Sequence, residues 1–392
     1  MGKIKLTGKG RRWQLTGHPW VYVDDILEGQ GEAGELLPVE DPNGNPMGWG
    51  LFSTSSRIAV RMVTRSPEQP NREFWLGRMR RAVEARASAG LLDPEGACRL
   101  LAGDSDGVPG MVIDRYGRTC VLQSGSQGSD RMRDFLVELL LEVLPFEPDA
   151  IVDRSDTSVR RLENLEKRVE TLRGSVAGPI VVREGEVEYE VDVFGGHKTG
   201  AYLDQRLNRI HAARFAEGHK VLDAFAYDGL FALHAAKAGA ESVVCLEQNK
   251  AACERLQRAA ERNGVADRIE VHRTNCMNAL RERAEQGERY GLIILDPPAF
   301  ARNRKEVAGA ERGYVELNRR GFALATEAGH VVSASCSHNV RPHEFTEFLA
   351  SAARLAGRDV WLEELAGAAP DHPYLVTLPE SHYLKCAFLR IG

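Results

Sequence analysis

"KVLDAFAYDGLFALHAAKAGAESVVCLEQNKAACERLQRAAERNG", residues 220–264, decides the fold. An apolar run closes on Asp223 and meets a turn with a single glycine, Gly229. A helical stretch follows, then a second apolar run ending in Glu247, then a second helical pattern. Strand–helix alternation with continuously apolar strands predicts a mostly parallel sheet covered on both faces. The rhythm continues through "IEVHRTNC" (269–276), "YGLIILDPPAF" (290–300) and "AGHVVSASCSHNV" (328–340), each read as a strand and its exit. Residues 191–392 are therefore expected to form one doubly wound α/β domain.

The texture upstream differs. Residues 1–70 hold short alternating runs such as "MGWGLFS" and "RIAVRMVT", broken by "DPNGNP", the pattern of a small β-domain built of hairpins. Residues 71–190 open with a helix pattern, "REFWLGRMRRAVEARASAGLL", whose basic residues are expected on its outer face. Strands such as "RTCVLQSG" and a helix, "DRMRDFLVELLLEVL", follow, so this segment reads as an α+β middle domain.

Three domains suit a chain of 392 residues. At 43% hydrophobic and 27% charged the composition is that of an ordinary globular protein, and no apolar run is long enough to span a membrane. The basic N-terminus lacks the apolar stretch of a signal peptide. Seven scattered cysteines with no CxxC pair argue against a disulfide framework or a zinc site, and a reducing cytoplasm is expected. A net charge of −5 excludes a uniformly basic surface but leaves room for a local basic face.

Ligands of an open α/β sheet bind beyond the carboxyl ends of its strands. The first exit, "DAFAYDG", offers Asp223, Phe225, Asp228 and Gly229; the second offers Glu247, placed for a ribose diol, and Gln248. The third offers Asn275, which could face an adenine. GxGxxG is absent, so a pyrophosphate lacks its glycine cradle. A nucleoside cofactor without phosphate fits better, and S-adenosylmethionine is the expected one, with its amino group near Asp223.

The chemical half begins at "LIILDPPAF". Pro297 and Pro298 stiffen the loop that carries Asp296 and Phe300. A fixed acid beside a ring suits a flipped-out base, which the ring can stack on and the carboxylate can hydrogen-bond; a plain rigid turn is the alternative. Cys336 leaves the next strand toward the same crevice. Carbon 5 of cytosine is a weak nucleophile, and a thiolate added to carbon 6 makes it carbanion-like and able to take a methyl group. A buried structural cysteine is the competing reading.

These motifs, together with "KGRRWQLTGHPWVY", "GDSDGVPGMVIDRYG", "RSDTSVRRLENL" and "GGHKTGAYLDQR", resemble the RlmI-type family of class I S-adenosylmethionine-dependent RNA cytosine-5 methyltransferases, which modify large-subunit (23S) ribosomal RNA. The resemblance runs nearly end to end. It implies a PUA β-barrel, a middle domain and a Rossmann-like methyltransferase domain. By the same resemblance Cys336 is the nucleophile and Asp296 to Phe300 form the wall of the target base. Asp204, Gln205 and Arg206 lie near the cofactor, with Lys198 and Tyr202 lining the same pocket. Asn275 stands where many members carry an acid. Ala299 stands where some RNA cytosine-5 methyltransferases carry a second cysteine, so the base that removes the carbon 5 proton is unassigned.

Lys3, Lys5, Lys9, Arg11 and Arg12 beside Trp13 and Trp20 suit RNA backbone contact with stacking. Arg154, Arg160 and Arg161, and then Arg302, Arg304 and Lys305 after the "DPPAF" loop, are expected to extend that track. A homodimer is left open. Two other functions compete: methylation of a guanine nitrogen, which needs no cysteine, and a non-catalytic RNA-binding assembly factor, which needs no cofactor pocket. A dehydrogenase is disfavoured by the missing phosphate-binding glycines.

Overall fold

The structure is a computed structural model that describes residues 2–300 and 307–392. By packing the chain divides into two units, one of residues 1–182, 191–203 and 370–381, the other of residues 183–190, 204–369 and 382–392.

The first unit carries two sheets. Strands 3–6, 20–22, 26–30, 36–40, 46–52 and 58–64 form a six-stranded sheet around Ile4, Leu6, Val21, Leu37, Val39, Val60 and Met62. Alternation is visible in "LLPVE" (36–40), where every second residue is buried. Asp41 closes the turn that follows by accepting from the backbone amides of Asn43 and Asn45 at 2.8 and 2.9 Å. Thr7 caps a short helix, Gly8–Leu15, inside this β-region. A second, five-stranded sheet (97–102, 111–116, 119–124, 150–153, 170–174) packs against the helices Arg72–Ser88 and Arg133–Val143.

The helix Arg72–Ser88 departs from expectation on its basic face. Arg86 is 3% exposed, and its guanidinium grips both carboxylate oxygens of Asp106 at 2.9 and 2.8 Å. Guanidinium geometry lets a buried arginine fill a polar core when a carboxylate meets it two-pronged, which helical spacing alone does not reveal.

The second unit is built on one seven-stranded sheet: β1 (Lys220–Ala224), α1 (Leu230–Lys237), β2 (Ser242–Glu247), α2 (Lys250–Arg262), β3 (Ile269–Arg273), α3 (Cys276–Glu285), β4 (Tyr290–Leu295), α4 (Val307–Leu324), β5 (Ala325–Ser335), α5 (Pro342–Ala356), β6 (Val360–Ala366) and β7 (Lys385–Ile391). The order is β3-β2-β1-β4-β5-β7-β6. The first five are parallel, and β7 enters antiparallel between β5 and β6. Every residue of β4 is buried, which explains its unbroken apolar run. Leu222, Leu246, Ile293, Leu295, Tyr314, Phe322, Val331 and Phe345 share the core. The chain moves outward from β1 through β2 and β3 and returns to β4 on the other side. The carboxyl edge between β1 and β4 is therefore a topological switch point, where such a Rossmann-like sheet opens a ligand crevice.

Candidate active site

The loop leaving β1 is wound tightly. Phe225, Tyr227 and Gly229 have φ of +66°, +50° and +74°. Left-handed backbone costs a non-glycine residue about 1–2 kcal/mol, so Phe225 and Tyr227 must be held. The amides of Phe225 and Ala226 donate to the Leu246 carbonyl at 3.0 and 3.1 Å. The Tyr227 amide donates to Glu247 Oε2 at 3.0 Å, and the Asn249 amide to Glu247 Oε1 at 2.6 Å. Glu247 thus ties the exits of β1 and β2 together, and its carboxylate keeps acceptor capacity for a diol. At Gly229 an added Cβ would come within 2.3 Å of Leu256 on α2, so close packing demands glycine there as well as the φ angle.

Asp223 lies beneath this loop rather than on its surface. It is 1% exposed and accepts from the Ala232 amide at 3.2 Å, which fixes the start of α1. Burial, then Asp296 and Glu247, pushes its carboxyl well above the usual range. In that place it supports the loop and the start of α1 through the Ala232 amide. Asp228 pairs with Arg255 at 2.7 Å, while the Arg255 guanidinium covers the Tyr227 ring at 5.4 Å. Burial still raises Asp228 to about 6, with Glu247 adding to the rise and Arg255 opposing it. Asp223, Asp228, Glu247 and Asp296 thus make a crescent of mutually repelling acids along the carboxyl edge. Such a crescent suits a cationic nucleoside like S-adenosylmethionine, whose sulfonium and ammonium outweigh its one carboxylate.

Asp204 accepts from the Tyr383 hydroxyl at 2.7 Å. Gln205 Oε1 accepts from Asn208 at 2.6 Å, while its Nε2 is buried without a partner among the described residues, the state of a donor kept for a ligand. Arg206, 8% exposed, and Asp228 both act on the buried Tyr189 hydroxyl, so the helix Arg206–Ala213 begins in the neighbourhood of the β1 loop. Lys198 and Tyr202 belong to the first unit, where the ammonium sits over the ring at 4.3 Å. Gln248 and Asn275 are exposed, and Asn275 uses its Oδ1 to cap α3 through the Asn278 amide at 3.1 Å.

On the other side of the switch point, Leu295 of β4 pairs with Ser333 of β5, so Asp296 and Cys336 leave adjacent parallel strands at one edge. Pro297 is buried and Pro298 exposed. The Phe300 ring meets Tyr314 of α4 edge-on at 4.8 Å, which fixes one side of the proposed base wall. Cys336 is partly exposed, whereas the other six cysteines are buried. Burial drives the thiols of Cys245 and Cys276 up, the latter to about 12, so neither is a nucleophile. The residue after Cys336 is anchored: Ser337 is buried, its hydroxyl meets the Tyr314 hydroxyl at 3.0 Å, and its carbonyl accepts from Lys385 Nζ at 2.8 Å. Sequence reasoning missed Tyr314, Tyr383 and Lys385. A signal existed for Lys385, since "LKCAFL" sets one charge inside an apolar strand.

The basic track needs correction. Arg154 and Arg160 are buried at 4% and 1% exposure; Arg154 donates to the Val193 and Gly196 carbonyls, and Arg160 to Asp130 and the Ser124 carbonyl. Both are internal struts. Lys3, Lys9 and Arg11 are paired with Glu40, Asp25 and Asp41. Trp20 donates to Asp104 at 2.8 Å, whereas Trp13 lines an open, largely apolar hollow of about 460 Å³ with Lys9, Arg12 and Tyr22. Arg302, Arg304 and Lys305 lie outside the described residues.

Two family comparisons match: a PUA-like domain over residues 4–65 and the family described as conserved hypothetical protein 95 over residues 205–327. A ribosomal RNA large subunit methyltransferase I from Shewanella denitrificans is 36% identical, over 99% of both chains. The enzyme of that name from Aeromonas hydrophila is 37% identical, over 97% of this chain and 98% of its own. Among solved structures, SMU.776, described as a methyltransferase complexed with SAH, superposes with a TM-score of 0.87 over 100% of both chains at 19% identity, a likeness of fold. The chain belongs to the ribosomal RNA large subunit methyltransferase I family.

Proposed function

We propose that this chain, an S-adenosylmethionine-dependent methyltransferase of large-subunit ribosomal RNA, places the methyl group on carbon 5 of a cytosine through a covalent bond between Cys336 and carbon 6. The observation that carries the reading is the position of Cys336. It is the one partly exposed cysteine, and it leaves β5 beside the strand that ends in Asp296 and Pro297. The thiolate adds to carbon 6, and carbon 5 takes the methyl group from the sulfonium. A base then removes the carbon 5 proton and the thiolate departs. The cofactor's own contribution is the activated methyl. Glu247 is suited to hold its ribose, and the loop from Phe225 to Gly229 to shape its seat. Pro297, Pro298 and Phe300 would hold the flipped base.

The test is nucleoside analysis after incubation with large-subunit ribosomal RNA and labelled cofactor. The wild type should yield 5-methylcytidine and Cys336→Ala none. Label on a purine nitrogen that survives Cys336→Ala would move the chain to a nitrogen methyltransferase. RNA affinity should fall steeply with salt, because phosphate contacts release counterions. An affinity unchanged from low to high salt contradicts that part.

A further inference from the structure

We propose that Lys385 is the positioning residue that holds Cys336 as a thiolate, an inference that rests on the nucleophile reading above. Lys385 opens β7 opposite Ser335 of β5, one residue before the cysteine. It is 1% exposed. Its ammonium donates to the Ser337 carbonyl at 2.8 Å and to the Tyr383 carbonyl at 2.8 Å, which places the charge under the peptide that follows Cys336. The Cys336 sulfur and the Lys385 ammonium act on each other electrostatically.

A buried lysine with carbonyl partners only is costly. Removing an ammonium from water costs several kcal/mol, which a carboxylate ordinarily offsets. Among the described residues no carboxylate lies within ion-pairing distance of Lys385. A thiolate is the anion that completes the site. Among the described residues, the charged or titratable groups around the pair include Asp296 at the end of β4, Tyr314 on α4, Glu344 on α5, and His382 and His338 in the flanking loops. Asp296 works against a thiolate, Glu344 favours the charged lysine and His382 opposes it; among the described residues Lys385 is the buried cation set against the Cys336 loop.

The chemistry balances without a further reagent. The Cys336 proton leaves to water, and the sulfur–carbon 6 bond forms. After methyl transfer the carbon 5 proton leaves, the sulfur–carbon bond breaks, and the thiolate returns to the side of Lys385. An ordinary thiol near 8.5 is only about 3% ionised at pH 7. Lowering it by one unit raises that fraction by about eightfold while intrinsic nucleophilicity falls by about threefold. The net gain in attack is small, and the same charge also helps the sulfur leave. Burial holds Lys385 down to about 8. The pairing therefore operates between ionisation of the thiol and loss of the ammonium proton, and fades above that value.

The experiment uses the full chain. Iodoacetamide labelling of the Cys336 peptide is followed by mass spectrometry from about pH 5.5 to 9.5; the other cysteines are buried. The wild-type midpoint should lie at least about one unit below an ordinary thiol. Lys385→Gln keeps a hydrogen-bond donor but removes the charge, and should raise the midpoint by about one unit or more; Lys385→Arg should keep it near wild type. A wild-type midpoint at or above about 8.5 overturns the proposal, and needs no variant to fold. So does a Lys385→Gln profile that overlays the wild type. Failure of the nucleophile reading shows separately, as methylation that persists in Cys336→Ala.

Discussion

Two groups of buried carboxylates in the second unit meet opposite fates. Glu184 is wholly buried, yet Arg209 grips both its oxygens at 2.6 Å and His234 on α1 reaches it at 3.0 Å. Burial alone would raise it, but Arg209 and then His234 outweigh that and pull it to about 2. Asp223 and Asp228, on the same stretch of chain as His234, are pushed upward instead: burial and neighbouring acids outweigh the Ala232 amide at Asp223, and burial and Glu247 outweigh Arg255 at Asp228. One carboxylate is fully compensated from within the chain; the others are not. Compensated charge holds the segment 183–190 and the helix Arg206–Ala213 to α1. Uncompensated charge at strand ends is poised for a cation that arrives from outside.

The comparison breaks first at Glu184. Glu184→Gln leaves the buried Arg209 without its counter-ion and should cost about 3–5 kcal/mol of stability. A loss below about 1 kcal/mol in denaturant unfolding would mean the triad is not a support. Because the folded value is depressed, the contribution of Glu184 is fully present above its ordinary value of 4.5 and is lost as pH falls through about 2. The variant should therefore show a shallower acid-unfolding curve than the wild type.

The strand-end acids predict the reverse dependence for stability and the same direction for ligand binding. Burial raises Asp228 to about 6. For stability the raised value works against the fold as pH climbs from 3.8 through about 6. For a cationic cofactor the ionised form is the one that binds, so affinity for S-adenosylmethionine should drop by up to about tenfold per unit below that value. Calorimetric titrations from about pH 5 to 7.5 check it. Affinity that stays flat would show that Asp228 serves Arg255 alone.

A smaller effect separates strain held for a ligand from strain without one. Ala328 has a φ of +59° at an exposed position near the start of β5, and Tyr227 a φ of +50° in the β1 loop. Ala328→Gly should stabilise by about 1 kcal/mol and leave cofactor affinity unchanged. Tyr227→Gly should weaken cofactor binding severalfold, because it frees the loop and removes the ring under Arg255. Equal effects of the two substitutions would dissolve the distinction.

Much of this was legible in the sequence where local pattern carries the information. Continuous apolar runs announced β1, β2, β4 and β5, and strand-end positions pointed to Glu247, Asp296 and Cys336, since a parallel sheet gathers its exits at one edge. Long-range pairing was not legible. Lys385 lies 49 residues beyond Cys336 and reaches its loop only because β7 inserts antiparallel beside β5. Arg86 read as part of an outer basic face and Arg160 as part of an RNA track, because the carboxylates that pair with them inside the fold, Asp106 and Asp130, come from other elements. Asp223 sat at the expected strand end, but its depth under the loop followed from the left-handed turns at Phe225 and Tyr227.

The most direct measurement replaces the target cytosine of the RNA with 5-fluorocytidine. Fluorine at carbon 5 leaves no proton to remove, so the adduct cannot resolve. With cofactor present, the wild type should form a complex that survives denaturing electrophoresis and carries the RNA on the Cys336 peptide, and Cys336→Ala should form none. Methylation of unmodified RNA without any trapped complex on the fluorinated one would contradict the covalent role of Cys336.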